Sequence, residues 1–200
     1  MKKKGQFICI EGLDGCGKTT QTKILVKKLR KLGYDAVYTS EPSKGRIGRF
    51  IQSYCLQSRQ RMSPVVEALL FAADRVEHLR NEVVPALEKG QLVVSDRYVY
   101  SSLAYQGAAG LDLKWIETLN ANVLSPDLAI FLDIDPYKAL RRLKPKKSVM
   151  ENLETQQKVR EVYVNYVKKG KLTRIDGNDT IEKVSGSILG VVQSFLRNLS

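Results

Sequence analysis

The sequence predicts an α/β protein built on a five-stranded, mostly parallel sheet with helices on both faces. Three observations carry this. Short apolar runs alternate with longer stretches of helical periodicity along the 200 residues. The apolar runs are nearly continuous, as strands covered on both sides must be. Hydrophobic residues make up 43% of a chain long enough for one domain, which suffices for a sizeable core and excludes disorder as the main state.

The elements follow in order. Residues 6–11 (QFICIE) read as a first buried strand, and 12–17 as a glycine-rich turn. Residues 18–32 place Ile24, Leu25, Leu29 and Leu32 at helical spacing and stop at Gly33, a helix-ending signal. Residues 35–40 form a second strand, followed by Glu41-Pro42, and 47–56 read as helix. Ser63 opens a long helix with Pro64 at its first position, running to residue 88 with Pro85 as a kink point. A third strand spans 92–95, a helix 112–123, a fourth strand 128–133 and a helix 136–143. A polar helix over 151–168, a fifth strand over 172–176 and a closing helix over 180–199 complete the chain. This alternation implies βαβ units around one sheet. No repeat or interdomain linker interrupts it, so residues 1–200 read as a single domain.

Charge and cysteine content narrow the function. The net charge is +12, concentrated in two blocks: +7 over residues 1–31 and +9 over 138–174, around a slightly acidic middle. Such an excess raises nucleic acid as a partner. No apolar run approaches the ~18 residues of a membrane helix. The start of the chain lacks a signal-peptide pattern. Cys9, Cys16 and Cys55 have neither metal-ligand spacing nor a disulfide framework, which suits a reduced protein of the cytoplasm.

Residues Gly12-Leu13-Asp14-Gly15-Cys16-Gly17-Lys18-Thr19 fit G-x-x-x-x-G-K-[ST] between a strand and a helix. In this motif the backbone N–H groups and the helix dipole cradle phosphates. Lys18 reaches the β/γ-phosphates and the Thr19 hydroxyl ligates Mg²⁺. An Asn-Lys-x-Asp guanine motif is absent, and the chain is short for a motor or helicase. A small kinase acting on a small acceptor fits best.

Five ordered blocks make the reading specific. They are Glu11 to Gln21 (EGLDGCGKTTQ), Ser40-Glu41-Pro42-Ser43, Leu69 to Arg75 (LLFAADR), Asp96-Arg97-Tyr98 with Ser101 and Ala104 to Gly107 (AYQG), and Lys158 to Tyr163 (KVREVY). Together they resemble the thymidylate kinase family over nearly the whole chain. The resemblance implies a three-layer P-loop NTPase fold with a mobile lid near residues 141–152. It implies phosphorylation of dTMP to dTDP with ATP and Mg²⁺.

It also implies roles. Phe71 stacks on thymine, and Arg75, one turn away on the same helix face, bonds the carbonyl edge of the base. Arg97 holds the acceptor's 5′-phosphate by its planar fork. Asp96 sits near Mg²⁺, or alternatively serves to fix Arg97 by an ion pair. Tyr105 packs by the deoxyribose, and Gln106 contacts the base or its surroundings. Ser102 is either a polar base contact or a helix cap. Asp14 meets the 3′-hydroxyl and the magnesium shell, or is simply a turn residue. Glu41 lines the acceptor pocket. The helix from residue 63 has more apolar positions than one stripe needs; the resemblance implies that it helps form a homodimer interface, the alternative being that the sheet alone covers them.

Two departures from the family pattern matter. Gly15 stands where some members carry an arginine, so the catalytic cation must come from the lid. The lid offers Arg141 and Arg142, then Lys146 and Lys147, and is lysine-rich rather than arginine-rich. His78, the only histidine, lies on a charged helix and reads as a surface residue. Two other readings remain beside the first: another nucleoside or nucleotide kinase of this fold, and a nucleic-acid-binding ATPase. The 138–174 block has only Tyr163 and Tyr166, on a helix that the resemblance accounts for, and Tyr137 at its edge; both basic blocks read as approaching one polyphosphate, so no specific nucleic acid or membrane partner is expected.

Overall fold

Residues such as Ile8, Ile10, Val93, Val94, Ile130 and Phe131 bring no polar side-chain atoms, and they form the fully or almost fully buried centre of the sheet. The computed structural model describes residues 5–56, 62–143 and 152–199. Its strands are β1 (Gln6–Gly12), β2 (Ala36–Ser40), β3 (Leu92–Asp96), β4 (Leu128–Asp133) and β5 (Thr173–Asp176). They lie in the order β2-β3-β1-β4-β5, and every pairing is parallel. The central strands β1, β3 and β4 are buried along almost their whole length, whereas edge strand β5 buries only Ile175. This difference explains why the central strands read as unbroken apolar runs.

The helices are α1 (Lys18–Lys31), α2 (Arg46–Phe50), α3 (Pro64–His78), α4 (Val84–Glu88), α5 (Val99–Ala108), α6 (Leu113–Leu119), α7 (Pro136–Arg142), α8 (Leu153–Lys168) and α9 (Ile181–Arg197). Helix α1 packs beside α9, while α5 packs between α3 and α8. Starts are set by caps. Asp112, Asp135, Asn152 and Thr180 each accept a backbone N–H from the first turn of α6, α7, α8 and α9. Between the layers Phe131 stacks on Tyr163 at 4.8 Å, and Phe7 meets the edge of Tyr98 at 4.8 Å. No helix among the described residues is long and apolar enough to cross a membrane.

Two departures from the sequence reading are instructive. The helix expected over 63–88 is continuous in direction but not in register. A wider π-type turn, Leu79–Val83, separates α3 from α4. Pro85 has no N–H for the carbonyl four residues back at Asn81, so the ladder resets there. The second departure is α5, which no sequence signal announced. Its first residues offer no side-chain cap; the cap comes from Glu11 on β1, whose Oε1 accepts the N–H groups of Tyr98 (2.8 Å) and Ser101 (3.3 Å).

The topology fixes where a ligand can sit. From β1 the chain crosses to β2, and from β3 it crosses the other way to β4. Adjacent strands whose connections diverge leave a crevice at their carboxyl ends. Register places Ile10 opposite Asp96 and Asp96 opposite Ser40. Glu11, Arg97 and Glu41 therefore emerge at one level of that crevice.

The stacked Phe131 is fully buried. Phe131→Ala is expected to lower the unfolding free energy by about 3–5 kcal/mol, read from urea denaturation with an unchanged m-value.

Candidate active site

The loop between β1 and α1 is shaped by contacts that only glycine allows. Gly15 has φ 80°, and a Cβ there would lie 2.2 Å from the Ala139 carbonyl oxygen of α7. No side chain fits, so an arginine at this position is sterically excluded. The same contact seats α7 against the loop through Ala139 and Leu143, while Arg141 and Arg142, in the last turn of that helix, are exposed. Arg141 also lies over the Tyr137 ring at 6.0 Å. The rest of the expected lid, including Lys146 and Lys147, lies outside the described residues.

Lys18 is buried, and its ammonium donates to the carbonyls of Gly12 (2.9 Å) and Leu13 (2.6 Å). Those bonds fold it over the loop whose amides would face a phosphate. Thr19 Oγ1 donates to Asp96 Oδ2 at 2.5 Å. The other carboxylate oxygen of Asp96 is buried without a hydrogen-bond partner among the described residues. A hydroxyl and a half-satisfied carboxylate at a phosphate loop fit a hard cation such as Mg²⁺, which takes few protein ligands and completes its shell from phosphates and water.

Arg97 follows β3 directly. Its backbone is left-handed, with φ 73°, the one non-glycine with positive φ among the described residues. Such a conformation costs about 1–2 kcal/mol, and three bonds offset it. Arg97 N–H donates to the Ile10 carbonyl (3.0 Å), Ser95 Oγ donates to the Arg97 carbonyl (2.7 Å), and Tyr98 N–H donates to Glu11. The guanidinium reaches Asp14 of the phosphate loop, Ser101 (3.0 Å) and the Tyr105 hydroxyl (3.5 Å), lying 4.9 Å over the Tyr105 ring. Arg97 thus pairs with Asp14 rather than with Asp96. Burial alone would raise the Asp14 carboxyl, but Arg97 and Lys18 outweigh it and hold it below its ordinary range.

Arg75 is buried and heavily committed. Its Nε and Nη2 donate to Glu41 Oε2 (3.0 and 2.7 Å), Nη2 also to Ser102 Oγ (3.1 Å), and Nη1 to Asn120 Oδ1 (2.6 Å). Of the five guanidinium N–H groups, one on Nη1 has no hydrogen-bond partner among the described residues. Phe71, one turn earlier, is half-buried and stands outside the main hydrophobic core. Gln106 is buried with its amide oxygen unpartnered among the described residues.

His78 is not on the surface. It is 1% exposed, with Nε2 2.6 Å from Thr39 Oγ1 and Nδ1 3.3 Å from Glu41 Oε1. The reason is an inverted helix: α3 turns Asp74, Arg75 and His78 inward and leaves Val65, Val66, Leu69 and Val76 exposed. Asn120 and Glu11 are further site residues given no role by the sequence reading. A carboxylate ending a buried apolar strand was the available signal for Glu11; Asn120 carried none. The amino-terminal basic block also divides. Lys23, Lys27, Arg30 and Lys31 line a groove with Tyr38 on β2 and not the phosphate loop.

Comparison with known proteins agrees with this geometry. The family profile described as thymidylate kinase matches residues 10–188. A probable thymidylate kinase of Pyrococcus abyssi is 42% identical, covering 98% of this chain and 100% of the relative. A probable thymidylate kinase of Thermococcus gammatolerans is 41% identical over 94% of this chain and 96% of its own length. A thymidylate kinase of Caldanaerobacter subterraneus is 37% identical over 97% and 98%. With the phosphate loop, Arg97 and the inward face of α3 converging on one crevice, this chain belongs to the thymidylate kinase family.

Proposed function

We propose that the chain transfers the γ-phosphoryl group of ATP to the 5′-phosphate of dTMP, giving dTDP and ADP. The observation that carries this is the joining of Arg97 to Asp14, which puts a cation at the end of β3 face to face with the phosphate loop. An acceptor phosphate held there lies in line with a donor on the loop. The acceptor oxygen is already anionic, so alignment and charge neutralisation do most of the work.

In this reading the loop Gly12–Thr19 cradles the donor phosphates, and Lys18 exchanges its two carbonyl partners for phosphate oxygens. Thr19 and Asp96 hold Mg²⁺, which would neutralise charge on the donor's phosphate oxygens. Arg141 and Arg142 supply the cation that Gly15 cannot carry. Arg97 takes the acceptor phosphate by its fork, giving up Asp14, which turns to the 3′-hydroxyl and the magnesium shell. Phe71 stacks on the base, and the remaining Nη1 proton of Arg75 meets a thymine carbonyl. Ser102 and Gln106 complete the base pocket. The Tyr105 ring packs against the deoxyribose and disfavours a 2′-hydroxyl. Glu41 fixes Arg75 from below while lining the pocket. The free, buried Cys9 and Cys16 suit a reducing compartment, and we assign the chain to the cytoplasm. The exposed Val65, Val66, Leu69 and Val76 of α3 suit a homodimer.

Four measurements test this. Assayed side by side, dTMP is expected to outrun dUMP, dCMP, AMP and thymidine as acceptor; a clear preference for another acceptor contradicts the proposal. Arg97→Ala is expected to lower kcat/KM for dTMP by about 100-fold or more while ATP binding survives. Gly15→Ala forces a Cβ into the Ala139 carbonyl and is expected to cut kcat/KM for ATP by about tenfold or more. Leu69→Asp should shift the sedimentation equilibrium from dimer to monomer.

A further inference from the structure

Glu11, next to last in β1, carries a carboxyl group that phosphoryl transfer does not use. It is fully buried, and its direct partners are uncharged. Oε1 accepts the Tyr98 and Ser101 amides at the head of α5. Oε2 accepts the Ser101 hydroxyl (2.6 Å) and the Tyr163 hydroxyl (3.1 Å).

Proton directions follow from this set. A serine hydroxyl has one proton and two lone pairs. With a carboxylate at 2.6 Å, the Ser101 proton points at Glu11, which turns a lone pair toward Arg97 Nη1 at 3.0 Å. The same carboxylate holds the amide that follows Arg97, so it fixes the left-handed backbone as well as the guanidinium. A protonated Glu11 would donate to Ser101 instead. The serine proton would then pass to the Tyr163 hydroxyl at 3.2 Å, and the lone pair facing Arg97 would no longer be set by a short bond to a charged acceptor.

We propose that Glu11 is a positioning residue for the acceptor phosphate: as a carboxylate it aims Arg97 through Ser101 and the first amides of α5. The proposal rests on the reading of Arg97 as the phosphate anchor.

The electrostatics support a functional rather than a stabilising role. Burial pushes the Glu11 carboxyl up to about 7, against the lowering effects of the Ser101 bond, the Arg97 charge, and the Tyr163 and Tyr98 bonds. The titratable groups around it are Cys9 on β1, Arg97, Tyr98 and Tyr100 by α5, and Tyr163 on α8. A folded value raised above 4.5 means that the folded chain prefers the protonated acid. Its stabilising contribution is present below the unfolded value and is lost as pH rises through about 7. The charged form that orders Arg97 is thus kept at a cost to folding.

The test compares wild type with Glu11→Gln and Ser101→Ala, measuring KM for each substrate between about pH 5.5 and 8.5 beside thermal unfolding. Gln keeps an oxygen for the two amides but presents N–H to Ser101 and cannot ionise. The expected result is a rise of about tenfold in KM for dTMP with KM for ATP within about twofold. Wild-type kcat/KM for dTMP should climb through about pH 7; the Gln variant should keep only the step from the acceptor's own phosphate near 6. The stability of wild type relative to Glu11→Gln should fall over the same range. Ser101→Ala, which leaves Glu11 and both amides in place, should raise KM for dTMP even if the Gln variant fails to fold. Wild-type KM values and an unchanged pH profile in both variants would overturn the proposal, as would a loss of stability alone. If Arg97→Ala keeps a normal KM for dTMP, the acceptor-site reading itself is wrong; if only the Glu11 and Ser101 variants are silent, this inference alone fails.

Discussion

The Arg97 guanidinium joins the two sides of the crevice, bonding Asp14 in the loop after β1 and Ser101 in α5. Its placement depends on a left-handed residue at the end of β3, a conformation that bulky side chains adopt only when surrounding bonds over-determine it. Those bonds come from Ile10, Ser95 and Glu11. The parallel register that aligns Ile10 with Asp96 is therefore a condition of the site and not only of the fold. The steric fit of Gly15 under α7 adds the third wall.

Helix α3 shows the second constraint. An ordinary surface helix buries its apolar stripe, yet α3 buries Asp74, Arg75 and His78 and exposes valines and a leucine. The buried charges are tolerable because each is bonded: Arg75 to Glu41, Asn120 and Ser102, and Asp74 to the amide and hydroxyl of Ser43. A buried unpaired partner would be strongly destabilising, so this network holds the floor of the proposed acceptor pocket rigid. The same inversion leaves Val65, Val66, Leu69 and Val76 on the outer face.

Much of this was legible in the sequence, for identifiable reasons. The strands were visible because central parallel strands are apolar throughout, and the phosphate loop because its glycines and lysine stand at fixed spacing between a strand and a helix. Helix α5 was not, because its cap is Glu11, 87 residues away from Tyr98 in the chain. His78 was misplaced because polarity was read as exposure, which fails on a helix whose polar face lines a site. Arg75 was read as a base contact, and its commitments to Glu41, Asn120 and Ser102 became visible only in three dimensions. Glu11 and Arg97 were both inside recognisable blocks, but no spacing rule links a strand end to the turn of its neighbour. The basic charge was located correctly along the chain and only partly in space: Lys18 serves the loop, while Lys23, Lys27, Arg30 and Lys31 line a groove with Tyr38.

In the proposed reaction donor and acceptor phosphates meet in one crevice, one side built by the loop after β1 and the other by Arg97. The most direct test is equilibrium binding of a single molecule that joins adenosine and thymidine 5′-ends through a chain of phosphates. Such a ligand spans both sites, so its second half binds at high effective concentration. The expected result is a Kd well below that of ATP or dTMP, competition with both substrates, and loss of the gain in Arg97→Ala. Binding no tighter than ATP alone, or binding that dTMP does not displace, would contradict it.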